Sequence, residues 1–229
     1  MIFHKGERDL YITETHMHTS TVSPCATIPP EESVPAYVKA GYQTLVITDH
    51  FNEGNRKFHG CTDAKEWINF FVSGYRAACH VAEGTNLSIL LGMEICFDGC
   101  NSEFLVYGLT EEDFFREPEM YQWGIQRFYP YAHEKGWVVV QAHPFRNGMT
   151  ITPPGWIDGI ETYNGNPRHD SRNDISELWA KKFRLLQTAG SDYHQQEDLA
   201  RGGILTGSPI TSNAELIQAI LGHAQLYHI

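Results

Sequence analysis

At 229 residues the chain has the length of one domain with a substantial core, and the expectation is a single domain over 1–229. Seventeen basic against 28 acidic residues give a formal net charge of -11, which disfavours extended nucleic acid, because a duplex is held by a basic stripe and none is visible. Five cysteines without zinc-ribbon spacing argue against a disulfide framework, and neither a bilayer-length apolar run nor a secretory signal stands out, so a cytoplasmic protein is expected.

In chain order, strands alternate with helices. Leu10 to Thr15 reads as a short strand delivering His16-Met17-His18, and Pro29-Pro30-Glu31-Glu32 opens a helix that ends near Gly41. The run Gln43 to Thr48 ends in Asp49-His50. A long helix is predicted from Asp63 to Glu83, with Trp67, Phe70, Phe71, Tyr75 and Ala78 at helical spacing. That stripe reads as core packing before it reads as a cofactor-stacking face. Ser88 to Met93 ends in Glu94, Phe104 to Leu109 reads as a strand, and Glu119 to Lys135 as a helix stopped by Gly136. Trp137 to Ala142 runs into His143-Pro144, and Asp158 to Tyr163 is a further strand. Ile175 to Lys182 is helical, Leu185 to Thr188 leads towards Asp192-Tyr193-His194, and Gly203 to Thr206 precedes a last helix capped near Ser212 or Asn213. The alternation defines an α/β chain with a mainly parallel sheet.

Two dyads of one shape frame this pattern. Side chains two apart on a strand share a face, so His16 with His18, and Asp192 with His194, each aim two ligand atoms at one place while Met17 and Tyr193 face away. Imidazole and carboxylate together suit zinc, manganese or iron. A lone His-x-His is more often a surface or capping pair, but His50, Glu94 and His143 also sit where apolar runs end. Strand-end residues meet at the mouth of a β/α barrel, so residues distant in sequence are placed to form one cluster.

Six segments, in order, resemble the PHP (polymerase and histidinol phosphatase) superfamily of metal-dependent phosphoesterases: "THMHTS", "VITDHF", "GMEICF", "QAHPF", "GIETYNGN" and "AGSDYH". The resemblance implies a distorted seven-stranded, TIM-like β/α barrel with two or three divalent ions. By the same resemblance, His16, His18, Glu94 and Asp192 hold one ion, Glu94 bridges to a second that His143 also holds, and His50 and His194 serve a third. The loop "TVSPCA" offers Cys25 as the remaining third-site donor, since a thiolate is a good zinc ligand; a small buried thiol is the plain alternative. Many relatives supply another histidine after the bridging glutamate, but "NSEFLVYGLTEEDF" has none. Glu103 is either its substitute or a solvated charge at a strand start. The missing histidine argues against histidinol phosphatase in particular.

Metal coordination lowers the pKa of water to about 7, and paired ions stabilise in-line displacement at phosphorus. The resemblance thus implies hydrolysis of a small phosphomonoester by a metal-bridging hydroxide, with Glu94 and Asp192 central and Asp49 orienting a ligand histidine. A phosphodiesterase or nuclease on nucleotides or nucleic-acid ends competes, as does a non-catalytic, metal-stabilised regulatory domain. Arg146, Arg168 and Arg201 lie near ligand-bearing strand ends and are candidates for the substrate phosphate, each against the alternative of a surface salt bridge. Glu161 and Asn164 are expected to shape the mouth. His4, His59, His80, His133, His169, His223 and His228 fit no motif and default to surface or structural roles. The substrate, the metal and the oligomeric state stay open.

Overall fold

Strand β1 (Tyr11–Met17) carries the first dyad at its carboxyl end and pairs in parallel with β2 (Tyr42–Ile47), the two joined by α1 (Pro30–Lys39). A computed structural model describes residues 10–229, so His4 lies outside the described residues. Next come β3 (His50–Phe51), α2 (Glu53–Phe58), α3 (Ala64–Phe71), α4 (Ser73–Ala82), β4 (Ser88–Cys96), β5 (Glu103–Tyr107), α5 (Glu111–Arg116), α6 (Ile125–Glu134) and β6 (Val138–Gln141). The chain continues through β7 (Gly159–Asn164), α7 (Asn173–Phe183), β8 (Leu186–Gly190), β9 (Gly202–Thr206), α8 (Asn213–Leu221) and β10 (Gln225–His228). Among the described residues no helix is long and apolar enough to cross a membrane.

The sheet runs β10-β9-β1-β2-β4-β5-β6-β7-β8, with β3 paired to β4. It nearly closes: beyond β8, Tyr193 N donates to His16 O (3.3 Å) and His18 N donates to Tyr193 O (3.0 Å), bridging the segment after β8 back to β1. Two expectations need correction. The sheet is mixed, because β5 runs against both β4 and β6; the loop from 97 to 102 is too short for the crossover that a parallel neighbour requires. Nor are seven strands found, since nine lie along the path and β3 adds another. Besides β3, the surplus comes from the antiparallel pair β9–β10, which extends the sheet beyond β1.

The helix predicted over 63–83 is two helices that break at Val72. Tertiary packing explains the offset: a Cβ on Gly74 would come within 2.4 Å of Thr19 Oγ1 and 2.6 Å of Asp49 Oδ2, so α4 is pressed against the loop that follows the first dyad. The start of α3 is fixed locally by Asp63, whose side chain accepts from Glu66 N. Likewise, 119–135 divides into a tight turn at Met120–Gln122 and α6. Phe51, Trp67, Phe71, Phe114 and Tyr121 fill the largest apolar cluster, so the aromatic stripe is packing. Met17 and Tyr193 are buried in another cluster with Tyr37 and Leu45, facing away from their histidine neighbours as strand geometry requires.

Candidate metal centre

The carboxyl ends of β1, β6 and β8, together with β3, β4 and β7, bring His16, His18, His50, Glu94, His143, Glu161, Asp192 and His194 to one place. His16 Nε2 lies 3.1 Å from His18 Nε2 and 3.4 Å from both Glu94 Oε1 and Asp192 Oδ1. His18 Nε2 is 3.3 Å from Glu94 Oε2 and 3.6 Å from Asp192 Oδ1. The His18 and His194 rings are 4.2 Å apart, centroid to centroid, and the His18 and His50 rings 4.3 Å. His143 Nε2 reaches Glu94 Oε1 at 3.2 Å. This proximity depends on Gly190, where a Cβ would sit 2.4 Å from that of His16. Two of these residues hold uncommon backbone angles, His143 at φ 26° and Asp192 at φ 51°, a strain that persists only where surroundings enforce it. Here Glu161 Oε2 accepts from His143 N (3.0 Å) and Asn166 Nδ2 donates to Asp192 O (3.0 Å).

Three of the imidazoles have their outer nitrogen engaged. His16 Nδ1 meets Glu161 Oε1 at 2.8 Å, His18 Nδ1 meets Ser23 Oγ at 3.3 Å, and His194 Nδ1 meets Asp192 O at 2.9 Å. An acceptor at Nδ1 fixes the tautomer and leaves the Nε2 lone pair for the centre. Ser23 in turn donates to Asp49 Oδ1 (2.7 Å), which also accepts from Thr19 N (2.7 Å). Asp49 thus acts on His18 through Ser23 and holds the loop rather than lining the cavity. Burial pushes its carboxyl up to about 6 against the pull of the Thr19 and Ser23 donors.

Glu14 was not singled out in the sequence, yet it ties both dyads together from behind. It accepts from His16 N (3.0 Å), Ser191 N (2.9 Å), Tyr37 Oη (2.9 Å) and Ser191 Oγ. Burial raises its carboxyl to about 7, the four donors opposing. An acid two residues before His16 in a buried strand was the available signal. Glu161 is a similar case, since its motif was visible while its role as partner of His16 Nδ1 was not.

The donor set fits divalent ions. An ion held tetrahedrally at about 2.0–2.1 Å separates its ligand atoms by roughly 3.3 Å, close to the spacings around His16 and His18. Buried Glu94 Oε2 has no hydrogen-bond donor of regular geometry among the described residues, although His50 Nδ1 is 2.9 Å away. Burial alone would lower His16, but the charges of Glu161, Asp192 and Glu94 outweigh it and hold the ring well above its usual range. His18 is held well below, by burial and by neighbouring His194 and His50. Glu94 and Asp192 resist burial and stay well below the ordinary carboxylate range, chiefly through His16. Burial and the charge of Glu94 push Glu103 up.

A cavity of about 190 Å³ opens over this cluster, walled by Cys25, Glu103, Arg146, Asn166, Arg168 and His169 among others. Arg146 Nη2 contacts Asp192 Oδ2 at 2.6 Å and Asn164 Oδ1 at 3.0 Å, while its buried Nε has no acceptor among the described residues. Arg168 is held by Asp198 through Nε (3.2 Å) and Nη2 (2.7 Å). Arg201 is not brought to the cavity; its Nε donates to Gly165 O (2.9 Å). Cys25 is exposed at the rim, which removes the buried-thiol alternative. Desolvation raises its thiol, but facing His194 and His50 outweigh that and bring it down to about 6. His169 is exposed, as a surface residue, and also lines the cavity wall, whereas His59 meets Val22 O (3.0 Å) and His133 meets Asp158 Oδ1 (2.7 Å) in structural contacts.

A nearly closed mixed sheet flanked by helices, with histidines and carboxylates converging at its strand ends, defines an α/β metal-site domain. The chain belongs to the PHP domain family, whose profile matches residues 14–223. Its fold is similar to PsfC from Pseudomonas syringae PB-5123 (TM-score 0.68, 16% identity, covering 96% of this chain and 91% of that one). A two-domain protein from Bacteroides vulgatus, containing a predicted PHP-like metal-dependent phosphoesterase, matches at TM-score 0.63 and 16% identity over 96% of this chain. The lesion-specific endonuclease PfuEndoQ from Pyrococcus furiosus matches at 0.60 and 13% over 95%. This chain spans 65% of the Bacteroides protein and 58% of the Pyrococcus one, and at these identities the likeness is one of fold. No curated protein sequence matches it.

Proposed function

We propose that the chain hydrolyses a small phosphomonoester with two or three divalent ions, zinc, manganese or iron. The observation that carries this reading is the meeting of His16, His18, Glu94 and Asp192 around one point, with spacings of 3.1 to 3.6 Å between the histidine nitrogens and their neighbours. These four hold one ion, Glu94 and His143 contribute to a second, and His50, His194 and Cys25 hold a third. Bound there, divalent ions would make water a nucleophile at neutral pH and offset charge on the phosphoryl oxygens.

The rest falls to the chain's own groups. Glu161 keeps His16 Nε2 turned inwards, and Asp49 does the same for His18 through Ser23. Arg146, whose Nε has no acceptor among the described residues, is the first candidate for a phosphoryl oxygen, and Arg168 the next. The size of the cavity supports a small substrate, since about 190 Å³ falls below the roughly 300–1,000 Å³ of sites for drug-sized ligands.

The test is elemental analysis of protein loaded with zinc, manganese or iron, followed by assay on p-nitrophenyl phosphate and bis(p-nitrophenyl) phosphate. At least two ions per chain and faster turnover of the monoester are expected. Fewer than one tightly bound ion overturns the reading; preference for the diester moves it to a phosphodiesterase; bound ions without hydrolysis leave a metal-stabilised regulatory domain.

A further inference from the structure

Glu103 faces Cys96 across the β4–β5 pair, and Glu94 precedes Cys96 by two, so the carboxylates of Glu94 and Glu103 are diagonal neighbours on one face. A buried carboxylate and a half-buried one so placed call for a cation between them. The surrounding atoms are arranged for one. Glu103 Oε2 lies 3.6 Å from His143 Nε2 and Glu103 Oε1 lies 3.9 Å from His50 Nδ1. Those same nitrogens stand 3.2 and 2.9 Å from Glu94 Oε1 and Oε2. Glu94, only 1% exposed, turns into this space an oxygen, Oε2, with no hydrogen-bond donor of regular geometry among the described residues. A solvated charge at a strand start would point outwards, whereas the Glu103 side chain is 21% exposed and on the cavity wall.

We infer that Glu103 is a metal ligand, joining Glu94 and His143 around the second ion and making that position rich in oxygen, while His50 stays with His194 and Cys25. Carboxylate-rich sites suit manganese and ferrous iron, while imidazole and thiolate donors suit zinc. The position beside His194 and Cys25 belongs to the second kind, so the two ends of the centre differ in metal preference. A chain offered both metals then takes up a mixed set.

This inference rests on the metal-dependent reading above, and one experiment separates the two. Wild type, Glu103→Gln and Glu103→His are titrated with manganese, followed by electron paramagnetic resonance, then offered equal zinc and manganese and analysed for both. Glutamine should weaken manganese binding at least about tenfold, the scale seen when a metal site loses a supporting group, and histidine should exchange manganese for zinc. Thermal melts of the three proteins in chelator check that each is folded. If wild type binds ions and both variants match it in manganese affinity and metal ratio, Glu103 is not a ligand and only this inference falls. If wild type binds no ion, the metal-dependent reading falls and this one with it.

Discussion

Strand β4 has two faces that obey different rules. On one, Met93 and Ile95 join Phe51, Trp67 and Phe71 in an apolar wall; on the other, Glu94 stands within 3.5 Å of His16, His18, His50 and His143. The wall is held by area and dispersion, which are non-directional and indifferent to which apolar atom makes the contact. The centre is held by directed bonds, in which removing one partner leaves another buried and unsatisfied. Stability is therefore concentrated on one face and chemistry on the other. A change on the wall should alter melting with little effect on ions, and a change at the centre the reverse.

The largest effect is expected from His16→Ala, which removes an imidazole close to His18, Glu94 and Asp192 together. Hydrolysis of p-nitrophenyl phosphate should fall by roughly a thousandfold or more, about 4 kcal/mol of barrier. Turnover like that of wild type would break the comparison at once. Next comes Trp67→Ala, in a fully buried ring 5.6 Å from Phe51 and 5.7 Å from Phe71. Chemical denaturation should show a loss of about 3–5 kcal/mol with the ions per chain unchanged. Loss of ions in the folded variant would mean that wall and centre are coupled through β3, where Phe51 adjoins His50.

This division also accounts for what was legible in the sequence. Ligand candidates announce themselves through residue type and through their position after apolar runs, so His16, His18, His50, Glu94, His143, Asp192 and His194 all come together. Supporting groups are less clearly marked: Asp49 adjoins His50 and Glu161 lies in a motif, but neither position tells which atom the carboxylate serves. Glu14 and Glu161 are ordinary acids until the sheet curls and places the first behind His16 N and the second on His16 Nδ1. Arg201 shows the converse, since nearness in sequence to a ligand strand does not decide which way a side chain turns. Strand direction was hidden for a similar reason: β5 is a good strand in either sense, and only the short connection from β4 reverses it. The break at Val72 belongs to packing around Gly74 and leaves no trace in helical spacing.

A gentler change at the centre sharpens the comparison. Glu161→Gln keeps the size and one acceptor oxygen but removes the charge beside His16 Nδ1 and turns an NH2 donor towards a group that Glu161 now accepts from. Metal affinity, measured by competition with a chelator, should drop about 10–100-fold, with the apo protein melting near wild type. An unchanged affinity would show that Glu161 only fills space, and that the directed bonds around the centre are less cooperative than the two-faced strand suggests.

The smallest effect is expected at the rim, from Cys25→Ser. The loop carrying this cysteine is tied on one side by Ser23 Oγ, which accepts from His50 N (3.1 Å), and on the other by Thr27 N, which donates to His194 O (2.9 Å). Cys25 is thereby suspended between the two imidazoles, and its exposure means that little packing is lost on substitution. Serine keeps the volume but is a far poorer zinc ligand than a thiolate. One fewer zinc per chain is expected, with reduced but measurable hydrolysis and an unchanged melt in chelator. In cobalt-loaded protein, the near-ultraviolet thiolate-to-cobalt absorption of wild type should vanish in the variant. Equal zinc content and no such absorption in wild type would take Cys25 out of the centre and leave the third position to His50 and His194, with His18 beside them.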